Sequence, residues 1–184
     1  DSTLQLTGGP SASSQLFLTG DLSGTGGLTA AGGRTVLSGN NSFTGVTRVD
    51  AGAALGVAGH ALAGTSALQV ARGGELQIVD SNVATTLFAP LQLAGRLSSS
   101  AGDVPSQFGM LPGGTFAGAI TLGDTAQIIA LGTGNAKPVR FIVSGPIDRA
   151  GQALTLATNG TLGQLSTAGI GGNGTLTLLS LIHI

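Results

Sequence analysis

Five aspartates, Asp50, Asp80, Asp103, Asp124 and Asp148, recur at spacings of 30, 23, 21 and 24 residues. Two carboxylates aligned about 5 Å apart on one face would act as acid and nucleophile on a glycosidic bond, or chelate a cation. Asp50, Asp124 and Asp148 each lie within two residues of Gly or Ala, in stretches that read as turns. Aspartate is favoured there because it bonds its own backbone, so turn formation is the expected role. The aromatic side chains that stack on sugars are scarce, with six Phe and neither Trp nor Tyr.

The remaining chemical motifs read as structure. His60, in Ala58-Gly59-His60-Ala61, has no G-x-S-x-G elbow or second histidine to work with outside the last six residues, and is expected at an exposed corner. Gly169-Ile170-Gly171-Gly172-Asn173-Gly174 fits the dinucleotide fingerprint by spacing. That motif has meaning only between a strand and a helix, and the strand pattern Thr175-Leu176-Thr177-Leu178 follows instead. Gly132-Thr133-Gly134-Asn135-Ala136-Lys137 lacks the Gly-Lys-Ser/Thr ending of a phosphate loop, and Pro138 would block the helix. The G-G-x-G-x-D calcium repeat is absent, and Thr-x-Thr pairs are too few for an ice-binding face. Asn40-Asn41-Ser42, Asn159-Gly160-Thr161 and Asn173-Gly174-Thr175 match glycosylation acceptors, but are expected to cap turns or form an asparagine ladder. No residue is assigned as catalytic, cofactor-binding or metal-ligating, and no cofactor is expected.

The elements that must position these residues are short strands. Leu4-Gln5-Leu6, Leu68-Gln69-Val70, Leu76-Gln77-Ile78, Leu91-Gln92-Leu93, Ile120-Thr121-Leu122, Leu154-Thr155-Leu156 and Leu176-Thr177-Leu178 each alternate apolar, polar, apolar. This is the period-two stripe of a half-buried strand, and turn residues bound almost every one within a few positions. The apolar members of the four central triplets are expected to face inward, with Gln69, Gln77, Gln92 and Thr121 outward. A chain turning after such short strands winds into a stacked solenoid. Coil starts near Leu16, Arg34, Ala53, Glu75, Leu97, Gln127 and Gln152 give spacings of 18, 19, 22, 22, 30 and 25 residues, hence about seven coils. The longest coil, residues 97–126, contains Ser98-Ser99-Ser100-Ala101-Gly102-Asp103-Val104-Pro105 and Pro112-Gly113-Gly114, and is expected to protrude as a loop.

Composition agrees with an all-β solenoid and excludes several partners. Gly occurs 33 times in 184 residues without a three-residue period, so the chain is not collagen-like. Hydrophobic residues are 41% and net charge is -1, which argues against disorder. The seven basic residues are scattered singly and offer no footprint for nucleic acid. Mean hydropathy is +0.41, yet no stretch approaches the ~20 uninterrupted apolar residues of a transmembrane helix. Without Cys, no disulfide framework or thiolate metal site can form.

One stretch carries a family resemblance. Gly24-Thr25-Gly26-Gly27-Leu28-Thr29, then Leu37-Ser38-Gly39-Asn40-Asn41-Ser42-Phe43-Thr44-Gly45-Val46-Thr47-Arg48-Val49-Asp50-Ala51-Gly52, resembles the autotransporter-associated β-strand repeat. The match covers about 30 residues by its L-S-G-x-N-x-[YF]-T-G core, and departs from the family at Ala30 and Ala54. Phe141-Ile142-Val143-Ser144-Gly145-Pro146-Ile147-Asp148, Gln152-Ala153-Leu154-Thr155-Leu156 and Gly169-Ile170-Gly171-Gly172 are similar to repeats of filamentous-haemagglutinin-like exoproteins.

Both resemblances imply a single-stranded, right-handed parallel β-helix on the bacterial surface. They imply secretion through an outer-membrane β-barrel translocator encoded outside this sequence, either as a dedicated barrel or as a two-partner system. The expected function is a non-enzymatic stalk segment of a passenger. The alternatives are an adhesin surface on the long loop, with an unknown host or cell-surface ligand, and a carbohydrate-active β-helix enzyme. Residues 179–184 look like the translation of a transposon-end sequencing adapter and are set apart as a scar, leaving 1–178 as the solenoid segment.

Overall fold

The computed structural model describes residues 2–9, 15–79, 84–100, 113–131, 139–159 and 163–181. Every regular element among them is a strand. The first coils contain β1 (Thr3–Thr7), β2 (Leu16–Leu18), β3 (Gly27–Leu37), β4 (Thr47–Val49), β5 (Ala53–Val57), β6 (Leu68–Val70) and β7 (Glu75–Val79). A three-strand period then sets in with β8 (Thr85–Leu87), β9 (Leu91–Leu93) and β10 (Arg96–Ser100). It repeats as β11 (Gly113–Phe116), β12 (Ile120–Leu122) and β13 (Ala126–Leu131), then as β14 (Val139–Val143), β15 (Ile147–Asp148) and β16 (Leu154–Asn159). The final turn holds β17 (Gly163–Thr167), β18 (Ile170–Gly171) and β19 (Leu176–Leu181).

Each strand pairs in parallel with strands of neighbouring coils, so the chain is a parallel β-solenoid with three walls. The first wall stacks β1, the start of β3, then β4, β6, β9, β12, β15 and β18. The second stacks β2, the end of β3, then β5, β7, β10, β13, β16 and β19. Among the described residues the third holds β8, β11, β14 and β17. Expected coil starts at Ala53 and Glu75 coincide with the first residues of β5 and β7. Eight stacked strands in the second wall make seven coil-to-coil steps, matching the expected coil number.

The core is a set of aliphatic columns. In the second wall Leu55, Leu76, Leu97 and Ile128 stand in one register column, and in the first Leu68, Leu91, Ile120 and Ile147 do the same. All eight are buried. The three-residue strands β9 and β12 alternate buried, exposed, buried, as their apolar-polar-apolar triplets require. Each buried side chain is worth about 1.5–3 kcal/mol, too little to hold an isolated coil against its ordering entropy but enough when every coil shares two neighbours.

Two expectations need correction. Gln92 and Thr121 are exposed and Gln69 half-buried, but Gln77 is only 6% exposed and its Oε1 has no partner. Alternation fixes the direction in which Gln77 points, level with Gly56 and Ser98 on the outer side, but not how much water reaches it. The long loop is also shorter than expected. Ser98 and Ser99 belong to β10 and are fully buried, and Gly113 and Gly114 open β11. Ladder pairing with β7 and β8 holds both ends of this stretch in the walls. Residues 101–112 between them lie outside the described residues, as do Asp80, Asp103 and the 132–137 glycine run.

Where the third wall has no strand, in the early coils, polar side chains join the rungs together with isolated backbone bonds. Asn41 is buried between rungs: its Oδ1 accepts from Leu22 N at 2.8 Å and its Nδ2 donates to Ala61 O at 2.8 Å. Around it Ser42 N donates to Leu22 O at 2.8 Å and Thr44 N to Gly24 O at 3.0 Å. Thr65 Oγ1 donates to Gly45 O at 2.8 Å and lies 2.9 Å from Thr47 Oγ1. Phe43 and Leu62 fill the space beneath. Turns between walls need particular backbones. Gly73 has φ +77°, which an L side chain rarely adopts, and a Cβ on Gly145 would collide with the Gly118 carbonyl one rung away.

Candidate functional site

Asp50, Arg72, Asp124, Asp148 and Arg149 all lie at the corner joining the first and second walls. The register decides what they can do together. Val49, Val70, Leu93 and Leu122 share a column, so Asp50 is followed up the corner by Ala71, Ala94 and Gly123, none of them acidic. Asp124 stands one residue further along, while Asp148 sits opposite Thr121, three residues before Asp124. The recurrence near one Asp per coil therefore brings no two of these three carboxylates into one column. Sequence spacing does not control alignment, because the connections between strands vary in length.

Each of the two later aspartates is occupied in its own turn. Asp124 Oδ1 accepts from Thr125 N at 2.7 Å, and Asp148 Oδ1 accepts from Ala150 N at 3.0 Å, beside the positive φ of 48° at Ala150. At the first corner the bond is from backbone: Ala53 N donates to Asp50 O at 3.1 Å. The turn-forming role expected for these residues is what the hydrogen bonds of Asp124 and Asp148 show. Replacing either by Asn keeps an Oδ1 acceptor, so Asp124→Asn and Asp148→Asn are each expected to cost under about 1 kcal/mol in urea unfolding. Calcium should shift the midpoint of none of these proteins. A calcium-dependent rise lost in either variant would show that the carboxylates hold a cation.

Corner length creates a concavity that gathers several charges. The connection from β9 to β10 is only Ala94-Gly95, shorter than the corners above and below it, and leaves a notch of about 380 Å³ lined by Arg72, Glu75, Arg96, Thr125 and Gln127. Arg72 Nη1 reaches Asp124 Oδ2 at 3.6 Å across this short rung, from a guanidinium that is largely exposed. Arg96 Nη1 lies 3.8 Å from Glu75 Oε2, whose other oxygen accepts from Ser98 Oγ at 2.6 Å. Each charge lining the notch thus has an opposite charge beside it. Solvent-exposed pairs of this kind contribute between about 0 and 1 kcal/mol.

The glycine run at 169–174 holds an arginine rather than a phosphate. Arg149 donates from Nε to Gly171 O at 3.2 Å, from Nη1 to Gly174 O at 2.6 Å, and from Nη2 to Gly172 O. Those carbonyls face a cation, the reverse of a phosphate loop, and β18 and β19 flank them as strands. The role of Arg149 was not read from the sequence. Its only signal there is a basic residue one coil before a glycine-rich corner. His60 is exposed in a turn, as expected, and no group of three His, Cys, Asp or Glu among the described residues stands close enough to hold a metal.

A second feature is extended. Thr29, Arg48, Gln69, Gln92, Thr121 and Asp148 form one outward column on the first wall, a polar side chain on each rung from β3 to β15. No family model, curated protein or solved structure matches this chain.

Proposed function

We propose that this chain is a non-enzymatic stalk segment of a secreted bacterial surface protein of the autotransporter-passenger type. The observation that supports the reading is the uninterrupted parallel ladder along two walls with aliphatic columns beneath it. Such a stack is stiff along its axis and lengthens by about 4.8 Å per coil. A rod of this kind holds a distal domain away from the cell. Because each new coil is templated by the last, stacking at the exterior also favours outward movement of an unfolded chain through an outer-membrane β-barrel. The partner is then the translocator, and the location is the outer face of the outer membrane.

Export tests it. Placed between an export signal and an outer-membrane β-barrel, the segment is expected to bring a distal epitope to the cell surface, where added protease removes it. Ile78→Asp, which breaks the stack, should lower surface display several-fold, whereas Gln92→Asp should not. Equal display by all three chains would remove stacking from the export role.

A second reading, a binding surface, draws on the polar column of the first wall. It predicts that Gln69→Ala and Gln92→Ala together weaken adhesion to host cells without altering the melting temperature. Residues 101–112 of the long loop that the adhesin alternative uses lie outside the described residues.

A further inference from the structure

We infer that the outer face of the first wall binds an extended, uncharged polysaccharide laid along the solenoid axis, which rests on the reading of its polar column as a binding surface. Three parallel columns make up this face. The middle one carries Arg48, Gln69, Gln92, Thr121 and Asp148. On one side of it, at the positions just before the strands, stand Val46, Ala67, Pro90, Ala119 and Pro146. Backbone bonds stack them: Leu68 N donates to Pro90 O at 2.8 Å, Leu91 N to Ala119 O at 2.8 Å and Ile120 N to Pro146 O at 2.9 Å. On the other side the small Ala71, Ala94 and Gly123 floor a groove of about 320 Å³, banked by Arg48, Gln69 and Gln92.

A sugar polymer fits these columns for chemical reasons. A pyranose shows C–H groups on its ring faces and hydroxyls at its rim. Flat, exposed apolar residues such as Pro90, Ala119 and Pro146 suit the faces, and a Gln amide, which donates and accepts at once, suits the hydroxyls. The step between rungs is about 4.8 Å, close to the length of one residue in an extended β-linked hexose chain, so successive sugars meet successive rungs. No run of one charge favours an acidic polymer: Arg48 shares the groove with Asp50, Asp148 stands at the far end, and Gln69, Gln92 and Thr121 between them are uncharged.

Phe88 points to the same ligand independently. It is 74% exposed on an interior coil, at the corner leading from β8 to Pro90 and β9, whereas Phe43, Phe116 and Phe141 are buried. Aromatic residues are scarce in this chain, but this ring stands at the edge of the first wall, where the C–H face of a sugar can stack on it.

Affinity electrophoresis tests it, with gels containing glucomannan or mixed-linkage β-glucan as neutral polymers and polygalacturonate as the acidic one. A neutral polymer is expected to retard the chain, and polygalacturonate to do so at least tenfold more weakly. Phe88→Ala, and separately Gln69→Ala with Gln92→Ala, should weaken that retardation at least tenfold. Gln127→Ala, exposed on the outer side of the second wall, should leave it unchanged. Phe88 and Gln92 are exposed and Gln69 half-buried, so melting followed by circular dichroism should match the parent in every variant. In calorimetry the hexaose of the retarding polymer should bind at least tenfold more tightly than its trisaccharide, because it spans more rungs. Retardation by neither neutral polymer, stronger retardation by polygalacturonate, equal affinity for the two oligosaccharides, or full binding by both the Phe88 and the paired Gln variants would overturn the proposal. If neither neutral polymer binds while the paired Gln variant still lowers adhesion to host cells, the ligand is wrong and the binding surface stands; if adhesion is also unchanged, both are wrong.

Discussion

Ile78→Asp is expected to abolish cooperative folding of the coils around β7, whereas Gln92→Asp should leave the urea midpoint nearly unchanged. Ile78 is fully buried, in a column with Val57 below and Ser99 above. The substitution removes a packed aliphatic side chain, worth about 2–5 kcal/mol on truncation, and leaves a carboxylate with neither cation nor water. Together these rival the ~5–15 kcal/mol that holds a typical domain. Gln92 stands on the outer side of the first wall in water, where a charge costs within about 0.5 kcal/mol. Gln77→Asp should fall between them, because Gln77 points outward yet is nearly covered. Urea unfolding followed by circular dichroism ranks the three. Equal midpoints for Ile78→Asp and Gln92→Asp would mean that the inward and outward columns have been exchanged.

That ranking rests on a part of the fold that was legible from residues alone. Alternation of large aliphatic and polar residues within triplets such as Leu91-Gln92-Leu93 fixes which side faces the core, since a one-residue slip would reverse every side chain. Where contrast is absent the signal fails. Ser98-Ser99-Ser100 offers no hydropathy difference, yet its register with Ile78 and Ala130 turns Ser99 inward, where its Oγ has no partner. Thr35 is a similar case: fully buried between Leu16 and Leu55, with an unpartnered hydroxyl. The corner chemistry was less legible still. Which residues face one another there depends on the lengths of connections tens of residues apart, so the spacing of Asp50, Asp124 and Asp148 suggested an alignment that the register does not make.

Asn41→Leu is expected to destabilise the early coils by about 2–5 kcal/mol, while Asn40→Ala, one residue away, should change stability by less than about 0.5. The two asparagines look alike in sequence. Asn40 is exposed and takes part through its backbone N–H, which donates to Asp21 Oδ1 at 2.7 Å and survives the substitution. Asn41 is the buried link between the Leu22 and Ala61 backbones, and leucine, close in size, would leave an N–H on one rung and a carbonyl on the other unpaired. Asn41→Asp separates hydrogen bonding from shape. The carboxylate still accepts from Leu22 N but repels the Ala61 carbonyl; once protonated, it can donate to that carbonyl as Asn41 does. Burial and the facing carbonyl favour the neutral acid, so the pKa in the folded variant should rise above the ~3.9 of the unfolded chain. The folded state then binds more protons than the unfolded state between those two values. Stability relative to the parent is accordingly greatest below about pH 4 and declines as pH rises through the folded pKa. Urea midpoints of parent and variant from pH 3 to neutrality test this. A difference that is independent of pH would mean that Asn41 fills space without linking the rungs, and the early coils would then need another explanation for stacking without a strand in the third wall.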